Sequence, residues 1–294
     1  MVTRQEKVLA VKLRVAKHIP CHPAVFEVIA FFARPGHNTA CPPPSCQGFD
    51  PVSRSSKSPS SFTFVDLFAG CGGLSLGLRA AGGTELLAVE KSPMAAETYF
   101  HNLVEPLGSD TGEFQRILRN ANPRHLRDKT DQVKLVVDDI WNVLKDDELL
   151  DPLVDQVNIV AGGPPCQGFS LAGLRRGMDD ARNHLVFAFH QFVMKVRPEL
   201  VVMENVVGIS RTFKDGTNPI NEVARCFREG VEETDTKYKV QRLLLNAQHY
   251  GVPQHRPRVV LVGVREDLVE QLGIQFKSGF LESSFAESLP GHVL

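Results

Sequence analysis

Three kinds of side chain stand where they could do chemistry together: one cysteine, one glutamate and a pair of arginines. Cys166 lies in Gly-Gly-Pro-Pro-Cys-Gln-Gly-Phe-Ser, Gly162 to Ser170, directly after the apolar run Val157 to Ala161. The two prolines restrict the backbone ahead of the thiol, and the flanking glycines leave it approachable. A lone cysteine is more often a small core residue, because a nucleophile needs a lowered pKa or a nearby base. A position at the carboxyl end of a buried strand reverses that balance. Pro42 to Phe49 repeats much of the string around Cys46, but it follows no apolar strand and reads as coincidence. Glu204 ends a second apolar run, Leu200 to Glu204, and should emerge at the same sheet edge as Cys166. A glutamate buried there is expected to hold a proton for a ring nitrogen; alone, it would read as a solvated strand-ending acid. Arg256 and Arg258, in Gln-His-Arg-Pro-Arg, are expected to share one face of an extended segment and to offer planar donors to a carbonyl or phosphate. Without these neighbours the pair would be ordinary solvated arginines.

A second group is made largely of backbone. Phe64 to Gly73, Phe-Val-Asp-Leu-Phe-Ala-Gly-Cys-Gly-Gly, is a strand entering a glycine-rich turn and then a helix near Leu74. Such a turn lets helix N–H groups face a ligand closely. No Gly-Lys-Ser/Thr follows and the spacing is not a clean G-x-G-x-x-G, so pyrophosphate is a poor fit. Glu90 closes the next strand, placed to accept from ribose hydroxyls, and Asp139 follows the third, at the adenine end of a nucleotide-like cofactor. The plainer alternative is a tight βα turn with solvated carboxylates.

These residues need a frame that brings strand ends together. From Phe62 onward, short β-branched runs alternate with helical patterns, which predicts an α/β fold with a doubly wound, mostly parallel, seven-stranded sheet. Its strands are expected at Phe62 to Leu67, Leu86 to Glu90, Leu135 to Val137, Val157 to Ala161, Leu200 to Glu204, Val240 to Leu245 and Val259 to Gly263. Helices are expected over Gly73 to Ala81, Met94 to Asn102, His184 to Lys195 and Asn218 to Glu229. Ligands of such sheets sit beyond the carboxyl ends of the strands, where the residues above fall.

Composition is permissive. The 294 residues, 43% of them hydrophobic, suffice for one large domain, and a net charge of -1 announces no nucleic-acid field and forbids no local one. Six cysteines lack the spacing of a disulfide framework or a zinc site, so reduced thiols and no metal are expected. No apolar run reaches the roughly 18 to 20 residues of a membrane span, and a cytoplasmic, nucleoid-associated location is expected. Residues 1–61 end in a Pro/Ser-rich linker and receive no fold; 62–270 form the catalytic domain and 271–294 a tail.

Taken together, the ordered motifs resemble those of DNA (cytosine-5)-methyltransferases over Phe62 to Val264. Phe-Ala-Gly-Cys-Gly-Gly is similar to the family's first cofactor motif and Gly-Gly-Pro-Pro-Cys-Gln-Gly-Phe-Ser to its nucleophile motif. Glu204-Asn205-Val206 is similar to its glutamate motif, and Gln254 to Arg258 to its arginine motif. Asp180-Ala181-Arg182, with Leu185 after it, resembles the segment beyond the family's mobile nucleophile loop. The resemblance implies S-adenosylmethionine as cofactor, contacted by Asp66, Phe68, Ala69, Gly70, Cys71, Gly72, Gly73, Glu90, Asp139, Ile140 and Pro164. It implies double-stranded DNA as substrate, with Cys166, Glu204, Arg256 and Arg258 as catalytic residues and Gln167 to Met178 as a clamp. A small-molecule or protein methyltransferase would not need that catalytic set. A noncatalytic DNA-binding descendant would tolerate it, and a cysteine hydrolase would need a histidine that no motif places.

The family pattern continues into a target-recognition region and a Gly-Asn motif, neither of which is found here. About thirty residues follow Gly263, fewer than the roughly 50 an independent domain needs. Three expectations follow: an active enzyme with a degenerate small domain, one half of a split enzyme whose second subunit supplies target recognition, or a truncated remnant, with the last two carrying most of the weight.

Overall fold

A computed structural model of the chain describes residues 62–104, 114–115, 119, 125–127, 132–165, 184–210, 212, 216, 218–231, 235–250 and 253–271. Cys166, Gln167 to Met178, Asp180 to Arg182 and the segment around Cys46 lie outside the described residues. In chain order the main elements are β1 (Phe62–Leu67), α1 (Gly73–Ala80), β2 (Gly83–Val89), α2 (Pro93–Tyr99), β3 (His125–Arg127) and β4 (Val133–Val136). Then come α3 (Ile140–Val143), α4 (Asp147–Leu150), β5 (Ile159–Gly162), α5 (His184–Val196), β6 (Leu200–Val206) and α6 (Pro219–Glu229). β7 (Tyr238–Asn246), β8 (Pro257–Arg265) and α7 (Glu266–Gln271) complete the set.

The sheet has eight strands in the order β3-β4-β2-β1-β5-β6-β8-β7. β4, β2, β1, β5 and β6 run parallel, while β3, β8 and β7 pair antiparallel with their neighbours. The expected seven strands thus become eight. The addition, β3, is a three-residue edge strand, too short to show a period. β7 and β8 each run nine residues, longer than expected, because the antiparallel ladder between them continues past the apolar runs, from Tyr238 opposite Arg265 to Asn246 opposite Pro257. The helix expected over Met94 to Asn102 ends as α2 at Tyr99 and continues as a wider π-helical turn, Phe100–Val104.

Alternation within the strands builds two cores. One face of β1, β2, β5 and β6 buries Val65, Leu67, Val89, Val160 and Val201 against Phe189 and Phe192 of α5 and Phe227 of α6. The other buries Phe62, Phe64, Ile159 and Val202, with Leu74 and Leu78 of α1 and Leu268 of α7 over them. Each fully buried large apolar side chain stabilises by about 1.5–3 kcal/mol, so the central strands carry much of the packing energy of the described residues. One irregularity matters later: Phe64 pairs with Glu85 but Val65 with Leu87. The extra residue, Leu86, turns Glu85 to the α1 side, whereas simple alternation would group it with Leu87.

Candidate active site

Two parallel strand ends, β1 and β5, lie side by side, with Leu67 opposite Gly162, and β6 flanks β5 with Met203 opposite the same glycine. The carboxyl end of β5 is therefore the border between a donor turn after β1 and an acceptor edge after β6.

The donor turn is shaped by unusual backbone angles. Phe68, Gly70 and Gly72 all have positive φ, at 58°, 57° and 90°. Gly72 must be glycine for a second reason: a Cβ there would stand 2.4 Å from Leu103 Cδ1 and 2.9 Å from Tyr99 Cδ2. Glu90 clamps the turn from the next strand. Its Oε2 accepts from Gly70 N at 2.8 Å and its Oε1 from Ser92 N at 2.7 Å. Ala69 N donates to Val89 O. Asp139 caps α3 by accepting from Trp141 N at 3.0 Å, and its other oxygen pairs with Lys91 at 2.7 Å. Its carboxyl is held below the usual range: burial raises it, but the Lys91 ammonium and the Trp141 amide outweigh that. Ile140 is 3% exposed and packs in the core, Cys71 is exposed, and Asp66 is 1% exposed and faces inward, below the turn.

The acceptor edge carries the acid. Glu204 Oε1 forms an ion pair with Arg258, 2.8 Å from its Nε, with 36% of the glutamate side chain and 22% of the arginine exposed. The burial expected of Glu204 is only partial: it lies in β6, two residues before the strand ends at Val206, and its partner is a cation. Arg258 is also steadied by donation from Nη1 to Pro257 O. Arg256 is exposed, and among the described residues only Arg258 reaches Glu204. The Arg256 amide donates to Asn246 Oδ1 at 3.0 Å and its carbonyl accepts from Ala247 N. The two arginines are two residues apart, but only Arg258 lies within β8; Arg256 belongs to the β7–β8 connection.

Two asparagines that sequence reasoning gave no role hold this edge together. Asn205, 4% exposed, donates from Nδ2 to Pro164 O at 2.9 Å and accepts from Val206 N through its own Oδ1. It ties the strand of Glu204 to the segment that leads directly into Cys166. The available signal was an amide immediately after a strand-ending acid, a position where a buried side chain can reach across to a neighbouring strand. Gly163 confirms the closeness, since a Cβ there would stand 3.4 Å from Glu204 Oε2. Asn246 organises the β7–β8 connection, its Oδ1 accepting from Arg256 N and Gln248 N.

The chain belongs to the C-5 cytosine-specific DNA methylase family, whose model matches residues 62–122 and 128–288. It is 36% identical over 203 residues to the type II methyltransferase M.DdeI of Desulfomicrobium norvegicum, covering 69% of this chain and 40% of that one. Over 209 residues it is 36% identical to M1.HphI of Haemophilus parahaemolyticus, covering 70% of this chain and 46% of the relative. It is 34% identical over 203 residues to M.AquIA of Picosynechococcus sp., covering 68% and 71%. The chain thus spans less than half the length of the first two relatives.

The methyl donor of this family is S-adenosylmethionine, and the turn fits it. At Gly70 and Gly73 nothing lies within 4 Å of where a side chain would begin, so that side of the backbone is open to a ligand. α1 starts beside it with Gly72 as N-cap and no side-chain cap, an arrangement that favours a carboxylate. Glu90 and Asp139 add acceptors at the rim. Among the described residues no three His, Cys, Asp or Glu side chains gather as a metal site. No helix among them is long and apolar enough to cross a membrane.

Proposed function

We propose that this chain is the catalytic part of a DNA (cytosine-5)-methyltransferase that methylates C5 of a cytosine through a covalent bond between Cys166 and C6 of the ring. The observation that carries the reading is the tie between the nucleophile segment and the acid: Asn205 to Pro164 at 2.9 Å, with Gly163 against Glu204.

C5 of cytosine is a weak nucleophile, and attack at C6 changes that. The Cys166 sulfur forms a bond to C6, and the displaced electron pair makes C5 electron-rich while Glu204 engages N3 and offsets the charge that builds there. S-adenosylmethionine, when bound, supplies an electrophilic methyl on a cationic sulfur. After C5 has taken the methyl, its proton leaves to a base, the C6–sulfur bond breaks and the ring regains aromaticity. Arg258, paired with Glu204, holds the carboxylate toward the ring and presents donors to the base oxygen. Arg256 contributes to the same edge from the β7–β8 connection. Because C6 of a stacked cytosine is out of reach, the nucleotide must swing out of the duplex, at roughly a few kcal/mol. A DNA substrate places the chain at the nucleoid, in the cytoplasm.

A second, finer reading concerns target recognition by a companion chain. Methyl transfer to duplex DNA, read as 5-methylcytosine by mass spectrometry, tests both readings when run with and without the products of neighbouring genes. Formation of 5-methylcytosine that stops in Cys166→Ala is the expected result; its persistence in that variant would overturn the mechanism.

A further inference from the structure

Behind the donor turn, four side chains from four elements meet away from water. Asp66 of β1 is 1% exposed, Ser75 of α1 0%, Glu85 of β2 5% and Tyr99 of α2 0%. The Ser75 hydroxyl stands 2.6 Å from Asp66 Oδ2 and 2.8 Å from the Tyr99 hydroxyl, which in turn touches Glu85 Oε1. Arg79 holds the other oxygen of Glu85 through Nε at 2.9 Å and through Nη2. The methyl-transfer chemistry uses none of these contacts.

Four oxygens in a row make three contacts, and each contact needs one hydrogen. Ser75 and Tyr99 bring two. The third must come from a carboxyl group, because with both acids ionised one contact would set two bare acceptors against each other at a site closed to bulk solvent. Arg79 decides which acid carries it. Its guanidinium lies on Glu85, and among the described residues no cation pairs with Asp66. Burial pushes the Asp66 carboxyl up to about 7, opposed by donation from Ser75 and reinforced by Glu85 and Glu90.

The row also spans the turn. Asp66 stands two residues before Phe68 and Ser75 two residues after Gly73, so their bond joins both ends of the loop. Tyr99 supports it from below, its ring 2.9 Å from where a Cβ of Gly72 would stand. We propose that Asp66, Ser75, Tyr99 and Glu85 form a proton-holding clasp that keeps the donor turn in the shape that binds S-adenosylmethionine, with Asp66 and Tyr99 as positioning residues. This rests on the methyl-transfer reading of the site. Loss of the shared proton leaves a buried carboxylate facing Glu85 and Glu90, with Arg79 already occupied by Glu85 and, among the described residues, no cation to balance the new charge beyond what the Ser75 hydroxyl and amide donate. The clasp then opens and the turn slackens.

Calorimetric binding of S-adenosylhomocysteine to the full chain, combined with the ¹³Cγ resonance of Asp66, tests this from about pH 6 to about pH 8.5. Wild-type affinity is expected to fall about tenfold over that range as Asp66 titrates. Asp66→Ala should lose about tenfold at the acid end, and Asp66→Asn, which keeps an N–H donor toward Ser75, should recover that loss and flatten the pH profile. Tyr99→Phe should weaken binding and move the Asp66 resonance. If Asp66→Asn binds no better than Asp66→Ala, or the wild-type resonance is at its ionised position already at about pH 5, the clasp is wrong. Should the wild type bind no cofactor at any pH, the methyl-transfer reading fails instead, and the resonance alone decides the clasp by the same two positions.

Discussion

The donor and acceptor sides of the site are built in opposite ways. Below the donor turn, Asp66, Ser75, Glu85 and Tyr99 are at most 5% exposed and bonded to one another. At the acceptor edge, Glu204 keeps 36% of its side chain open and pairs with Arg258 at 2.8 Å. A cofactor turn presents the same shape to the same ligand every cycle, so rigidity helps it. In the proposed reaction the acid meets a ring arriving from a duplex and needs an open approach, which a half-exposed pair allows.

That contrast can be broken from either side. The largest effect is expected for Glu204→Gln, which keeps size but removes the proton-transfer group. Methyl transfer should fall by roughly 10²- to 10⁴-fold while cofactor affinity, measured by calorimetry, stays near wild type. Equal losses in both would mean that the two sides are not separable. Gly72→Ala strikes the other side. Its φ of 90° and the 2.4 Å approach to Leu103 should cost roughly 1–3 kcal/mol in denaturant unfolding and weaken cofactor binding first.

Asn205→Ala probes the border between the sides by leaving the Pro164 carbonyl without its donor. A stability loss of about 1–3 kcal/mol is expected, with a fall in turnover larger than any change in cofactor affinity. For Asp66 the sign of the pH effect follows from its shift. Burial pushes the folded carboxyl up to about 7 from an ordinary 3.8, so its contribution is present below 3.8 and lost as pH rises through about 7. Thermal melts should therefore show wild type losing ground to Asp66→Asn across that window. The smallest effect is expected for Arg225→Ala on α6, whose exposed pairs with Glu222 and Glu229 should leave the melting temperature unresolved from wild type.

Much of the acceptor edge was legible in the sequence because strand ends announce themselves. Val157 to Ala161, interrupted only by Asn158, and Leu200 to Met203 are apolar runs followed by Gly-Gly-Pro-Pro and Glu-Asn, and β5 and β6 fall on them, at Ile159–Gly162 and Leu200–Val206. Glu90 and Asp139 fall at the ends of β2 and β4 for the same reason. The clasp was not legible. Glu85 reaches the Asp66 side only because Leu86 interrupts the pairing of β1 with β2, and Tyr99 arrives from a helix whose apolar pattern gives no hint that its hydroxyl is bonded. β3 escaped because three residues cannot show alternation. The parting of Arg256 from Arg258 was missed because the extended-chain argument presumed one strand through both, whereas Asn246 takes the Arg256 backbone into the connection.

The proposed mechanism requires a bond between Cys166 and the cytosine ring. DNA carrying 5-fluorocytosine cannot release its C5 substituent, so the adduct should persist and be isolated after incubation with S-adenosylmethionine and the chain, with any companion chain it requires. Peptide mass spectrometry is predicted to find the modified base on Cys166, and no trapped complex in Cys166→Ala. A complex joined through another residue, or methylated 5-fluorocytosine released free of protein, would contradict it.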